Sequence, residues 1–343
     1  MNALVLTGPS TFEYSEFSSP EIKTGHVRIS IKACGICGSD IHGMDGSSGR
    51  RIPPIVMGHE AAGMISEIGE GVTGWKIGDR VTFDSTEFCN DCESCAGGFI
   101  NLCSTRKVLG VSCGDYRRHG CFAEEIVLPI HILHRIPEGL DYTHAAFAEP
   151  VSIALHAVNL APALVTEPAL VVGAGLIGLL VIQALKARGW DTVIAVDLDE
   201  TRLELARELG AKHTFLAKNE DTLSRIREVC GGEGPSVSFE VVGAAAPVDL
   251  AIRSVRKGGH VVLVGNLQSS VPFPLQEVVT RQITLHGSCA CAGEYPEAIA
   301  LIESGAIRVE PLLSAVAPLK EGGDWFARLA DNKEGLLKVV LVP

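Results

Sequence analysis

Hydrophobic and polar positions divide this chain into two kinds of text. Through residue 150 the apolar runs are short and alternate with polar positions, as in HVRISIKA from His26 and AAGMISEIG from Ala61, with Gly and Pro between them. A period of two predicts half-buried strands, and so a β-rich, barrel-like domain. From Ala169 the rhythm changes. ALVVGAG is a short, wholly apolar strand, and LIGLLVIQALKARG after it is an apolar helix. TVIAVD, HTFLA, VSFEVVG and HVVLVG continue as strands, while TRLELARELG, DTLSRIREVC and PVDLAIRSVRKG carry helical spacing between them. Gly210 is a helix stop. Strands alternating with helices predict an α/β unit with a doubly wound parallel sheet. LLKVVLVP at the end is one more strand.

Composition narrows the picture. The 343 residues suit about two domains, and 46% hydrophobic with 20% charged residues suits sizeable cores rather than disorder. The formal charge of −12, without a basic cluster, argues against nucleic acid or an anionic membrane as partner. The start, MNALVLTGPSTFEYSEF, lacks the basic head and long apolar core of a signal peptide. The apolar stretch from Ala169 runs about fourteen residues before Gln183, short of the roughly twenty needed to span a bilayer. A cytoplasmic protein is expected, in a compartment that keeps thiols reduced.

Three features carry candidate chemistry. Gly173, Gly175 and Gly178 lie in GxGxxG spacing between a strand and a helix. There the first permits a tight turn, the second lets backbone approach a pyrophosphate, and the third packs helix on strand. Asp197 ends the next strand about twenty residues on, where an acid bonds the ribose hydroxyls of NAD and disfavours the extra phosphate of NADP. Arg202 would offset that preference or serve as a solvated helix charge. Leu176, Ile177 and Val264 complete the expected cofactor-contacting set.

The second feature is CNDCESCAGGFINLC, in which Cys89, Cys92, Cys95 and Cys103 stand two, two and seven residues apart. A disulfide staple, a redox pair and a metal site compete. Four thiolates fill a tetrahedral zinc shell and leave no open position, so the zinc would be structural. Iron–sulfur sites use other spacings. Gly97 and Gly98 are expected to supply the freedom for the returning loop. The third feature is dispersed over CGICGSDIH, GHEAAG and AFAEPV. Cys34 and Cys37 have redox-motif spacing, but such a pair normally opens a helix, and turn residues follow here.

In that order, these motifs resemble the zinc-dependent medium-chain dehydrogenases of the alcohol, polyol and threonine branch, over essentially the whole chain. The resemblance implies a GroES-like catalytic domain over 1–150, a Rossmann domain over 151–286 and a return to the catalytic domain over 287–343. It places zinc and nicotinamide on facing walls of a cleft. Cys37 and His59 would bind the catalytic zinc, with Glu60 a further ligand or just behind it. Glu149 would replace the third cysteine of other alcohol dehydrogenases, binding directly or through water. Asp40 would fix the His59 ring, Ser39 would take the substrate's hydroxyl proton and His42 would pass it on. Cys34 has no role beyond packing.

A Cys/His/carboxylate shell with an open position lowers the pKa of a bound alcohol, and the hydride must then go to a cofactor. The expected reaction is NAD-dependent oxidation of a secondary alcohol or polyol to a ketone, by a homodimer or homotetramer. Threonine or butanediol oxidation is the enzymatic alternative, and a silent dinucleotide sensor the non-enzymatic one. Two departures from sorbitol-type enzymes stand out. Gly43 and Met44 replace an aromatic residue, and Ala290 and Cys291 fall where an Arg-Tyr pair grips the polyol. A smaller, less charged pocket near Ser288–Cys291 follows, with Cys289 and Cys291 as packing residues or a redox-sensitive pair.

Overall fold

The computed structural model describes residues 1–112, 117–162 and 165–343. They form two units: Met1–Glu149 with Tyr295–Gly305 and Val309–Pro343, and Pro150–Glu294 with Ala306–Arg308. Toward the tail the change of unit falls after Glu294 rather than after residue 286. The reason is local: Thr284–Gly287 pairs in parallel with His260–Leu263 and belongs to that sheet.

The first unit is built on antiparallel pairing. Its seven-stranded sheet runs Leu133–Arg135, Arg80–Phe83, Glu60–Ile68, His26–Gly35, Lys338–Val342, Leu313–Pro318, with Glu125–Pro129 paired to His26–Gly35 beside that path. Val27, Ile29 and Ile31 alternate into a core that includes Phe83, Phe122, Phe326 and Leu341. The register positions the site: Gly35 lies opposite Glu60, and Val340 of the returning tail lies opposite Gly35. The β-branched run in KVVLV suits that tail to an inner strand position. Three segments distant in sequence therefore meet beside Cys37.

The second unit holds six parallel strands in the order His213–Leu216, Val193–Asp197, Ala169–Val172, Val237–Glu240, His260–Leu263, Thr284–Gly287. Numbered along the chain this is 3-2-1-4-5-6, the dinucleotide-binding order. Leu170, Val172, Ile194, Val196, Ile252 and Val261 fill one side of it.

Candidate active site

Cys37 follows the strand His26–Gly35 and caps a single helical turn, Gly38–Ile41. Its sulfur accepts from Ser39 N at 3.5 Å, and its own N–H reaches Asp40 Oδ2 at 3.3 Å. A helix start thus follows where the motif suggested only turn residues. Cys34 nevertheless forms no disulfide with Cys37 and lies buried in the core.

Across the register, His59 and Glu60 open the strand Glu60–Ile68. Cys37, His59 and Glu60 offer ligand atoms that all lie within 4.8 Å of one another. Glu60 Oε1 is buried without a hydrogen-bond partner among the described residues. An unmet buried polar atom costs about 1–3 kcal/mol, which a cation at this point would remove. Desolvation pushes the Cys37 thiol up to about 12, with Glu60 adding to the rise. A thiolate here therefore needs a positive charge beside it. The residues present fit a zinc ion.

Glu149 opens the helix Ala148–Asn159 and lies outside the converging group. Its Oε1 accepts from Ser85 Oγ at 3.2 Å, and burial pushes its carboxyl up to about 8, opposed by the charge of His59. Asp40 is wholly buried, yet its Oδ1 stands 3.6 Å from His59 Nδ1, beyond hydrogen-bond reach. Ser39 is exposed, with its Oγ 3.3 Å from Cys37 Sγ. His42 is exposed at the end of the turn, near Asp45.

Sequence reasoning missed three partners. Arg51, 2% exposed, bonds Asp40 Oδ1 at 2.8 and 3.1 Å. Lys338, 1% exposed, donates to Glu60 Oε2 and to the Ile36 carbonyl. Ser85 is the third. Arg51 and Lys338 read as ordinary surface cations, and a lone Lys in a strand of apolar residues was the one available signal.

Cys89, Cys92, Cys95 and Cys103 also converge within 4.8 Å. Backbone N–H groups point at the sulfurs, Cys89 N to Cys103 Sγ and Cys92 N to Cys89 Sγ, both at 3.3 Å. Backbone donors at Cys95 and Ser104 lower the Cys92 thiol to about 6. Such donors favour thiolates, so this group also fits zinc. Of the two glycines, only Gly98 takes the left-handed conformation, at φ 83°; Gly97 sits at φ −80° as an ordinary helix C-cap.

In the second unit, Gly173 has φ 102°, and a Cβ there would stand 2.6 Å from Val242 Cγ2. A Cβ on Gly178 would stand 1.9 Å from Gly173 O, whereas one on Gly175 would meet nothing within 4 Å. Gly175 caps the helix Leu176–Ala187 with no side-chain bond to its first turn. The first and third glycines allow close packing, and the second leaves open space at a helix N-terminus, as a pyrophosphate needs. Leu176, Ile177 and Val264 are half-buried around this end of the sheet. Asp197 is held by Ala174 N at 2.6 Å and Asp199 N at 3.0 Å. Glu240, also unforeseen, accepts from Val242 N and Gly243 N and shapes the turn packed on Gly173. Arg202 lies early in the helix Glu200–Glu208. Cys289 is exposed and Cys291 buried, and neither is in a disulfide.

Two family models match: a zinc-binding dehydrogenase over residues 177–304 and an alcohol dehydrogenase GroES-like domain over residues 23–138. The sorbitol dehydrogenase of Bacillus subtilis (strain 168) is 31% identical over 347 residues, covering 100% of this chain and 97% of the relative. An oxidoreductase/dehydrogenase of unknown specificity from Escherichia coli superposes with a TM-score of 0.93 at 28% identity, over 99% of this chain and 98% of its own. A putative zinc-binding dehydrogenase from Sinorhizobium meliloti 1021, bound to NADP, gives 0.91 at 30% identity, over 100% and 99%. A GroES-like domain, a dinucleotide-type parallel sheet and two converging groups of metal-ligating side chains together mark a zinc-dependent oxidoreductase. The chain belongs to the zinc-dependent medium-chain alcohol dehydrogenase family. No helix of the described residues is long and apolar enough to cross a membrane.

Proposed function

We propose that the protein oxidises a secondary alcohol or polyol to its ketone, passing the hydride to NAD. The carrying observation is the convergence of Cys37, His59 and Glu60 beside the Ser39 hydroxyl. Bound zinc would supply the Lewis acidity that makes an alcohol proton easy to remove. The chain's residues do the rest. Cys37, His59 and Glu60 would hold the ion, with Lys338 pinning the Glu60 carboxylate. Glu149 stands by as the replaceable ligand, anchored by Ser85. Ser39 takes the hydroxyl proton, and exposed His42 delivers it to water. With NAD⁺ bound, the carbinol C–H would be lost as hydride, so that one alcohol and one NAD⁺ would give a ketone, NADH and a proton. A zinc ion in the cysteine lobe would take no part.

Asp197 supports NAD, because its backbone-fixed carboxylate would face the extra phosphate of NADP. The sorbitol dehydrogenase relative supports a polyol. A homo-oligomer of two or four copies is also proposed. Exposed Phe273, Leu275, Val279 and Leu285 lie on or shortly before the edge strand Thr284–Gly287, which has one neighbour among the described residues. The free thiols fit a reducing cytoplasm.

The test is an oxidation screen of polyols and diols with NAD and NADP, run beside Cys37→Ser. The expected result is NAD-preferring turnover, and a variant with one zinc fewer per chain whose kcat is lower by orders of magnitude. Unchanged activity with unchanged zinc in Cys37→Ser overturns the metal assignment. Equal turnover with NADP overturns the role given to Asp197.

A further inference from the structure

Asp40 has two claimants and serves one. Its Oδ2 caps the turn through Cys37 N. Its Oδ1 takes both Arg51 Nη2 at 2.8 Å and Arg51 Nε at 3.1 Å, while His59 Nδ1 waits at 3.6 Å. The same Nη2 donates to Ser39 Oγ at 3.3 Å. That occupies a lone pair of the hydroxyl and leaves its hydrogen for Cys37 Sγ at 3.3 Å. Room for this arginine comes from Gly43, because a Cβ there would lie 2.7 Å from Arg51 Cγ. Gly43 and Arg51 thus form one arrangement, packed into the turn that carries Ser39 and Asp40.

We infer that Arg51 is a positioning residue of the reaction centre, holding the Asp40 carboxylate off the His59 ring and fixing the Ser39 oxygen beside Cys37. The inference rests on Cys37 and His59 holding zinc. A carboxylate bonded to a metal-ligating histidine raises the ring's basicity and tightens its hold on the metal. A guanidinium fork on the same oxygen withdraws that support. His59 is then a weaker donor, and the ion it holds a stronger Lewis acid. Arg51 therefore trades metal retention for reactivity.

Release of zinc from the holoenzyme to a chelator gives the test, because the phase that Cys37→Ser abolishes reports this site apart from the lobe. In Arg51→Gln, Asp40 is free to turn to His59. This phase should slow several-fold while kcat falls about 10–100-fold, the usual scale for partners of metal ligands. The KM for NAD should not move. Arg51→Lys keeps the charge but not the fork, and should shift both readouts the same way by less; it decides the matter if Arg51→Gln does not fold. Faster release in these variants marks Arg51 as merely structural and overturns the inference, as does unchanged release with unchanged kcat. A wild type with no phase sensitive to Cys37→Ser overturns the zinc assignment itself, and the inference falls with it.

Discussion

Lys338 carries a buried charge 278 positions along the chain from the carboxylate it serves. Burial works to lower its pKa, yet Glu60 and Cys37 more than offset this and raise it. The pair is close-packed as well, since a Cβ on Gly35 would stand 2.4 Å from Glu60 Oε2. Removing one member of a buried ion pair strands the other. Lys338→Met is therefore expected to cost about 3–5 kcal/mol, read from urea unfolding of the metal-loaded protein. A cost under about 1 kcal/mol would mean that Glu60 finds other support. Residue types at this site were legible where a motif carried them, as at Cys37 and His59. Arg51, Ser85 and Lys338 were not, because a cation or hydroxyl in an unremarkable stretch gains meaning only from a partner distant in sequence.

At the scale of elements, the lobe from Cys89 to Cys103 separates shape from chemistry. Its four sulfurs converge on one another and accept backbone N–H bonds, which suits a closed metal shell. Cys103→Ser should lose one zinc per chain and melt at a lower temperature. Each chain that stays folded should keep its hydride transfer, so metal content and kcat per folded chain are measured together. A variant that keeps its fold and its other zinc but loses turnover would show the lobe taking part in the reaction. The parallel strands and their helices could be read from periodicity, which is local. The turn after Cys37 could not, because its cap is a thiol and its box is closed by Asp40. A single aspartate in the first turn is a weak helix signal beside a thiol cap and the breakers Gly38 and Gly43.

The first unit as a whole carries a pH dependence. His134 stacks on Tyr295 with ring centroids 4.9 Å apart, and burial holds its pKa down at about 4. Above the unfolded value near 6.5 both states are neutral and the group contributes nothing. As pH falls from there toward 4, the unfolded chain binds a proton that the folded one refuses, so stability is lost across that window. His134→Phe keeps an aromatic ring on Tyr295 and removes the titration. Relative to wild type it should gain on the order of 1–3 kcal/mol between pH 7.5 and pH 4.5, measured by denaturant unfolding at each pH. The comparison between the two proteins cancels acid effects on the metal sites. A constant difference across the range would show that His134 is not held neutral.

The chain by itself determined its local structure and its inventory: two rhythms of hydrophobicity, a glycine fingerprint with its acid, and four clustered thiols. Those follow from short-range periodicity and spacing, which any stretch of chain carries within itself. Only the tertiary structure decided which side chains share a carboxylate. It set Gly35 against Glu60 and brought Lys338 back to them through the returning strand. It also gave Asp40 to Arg51 rather than to His59. Register and burial make those choices, because a buried charge must find its partner wherever the fold places one.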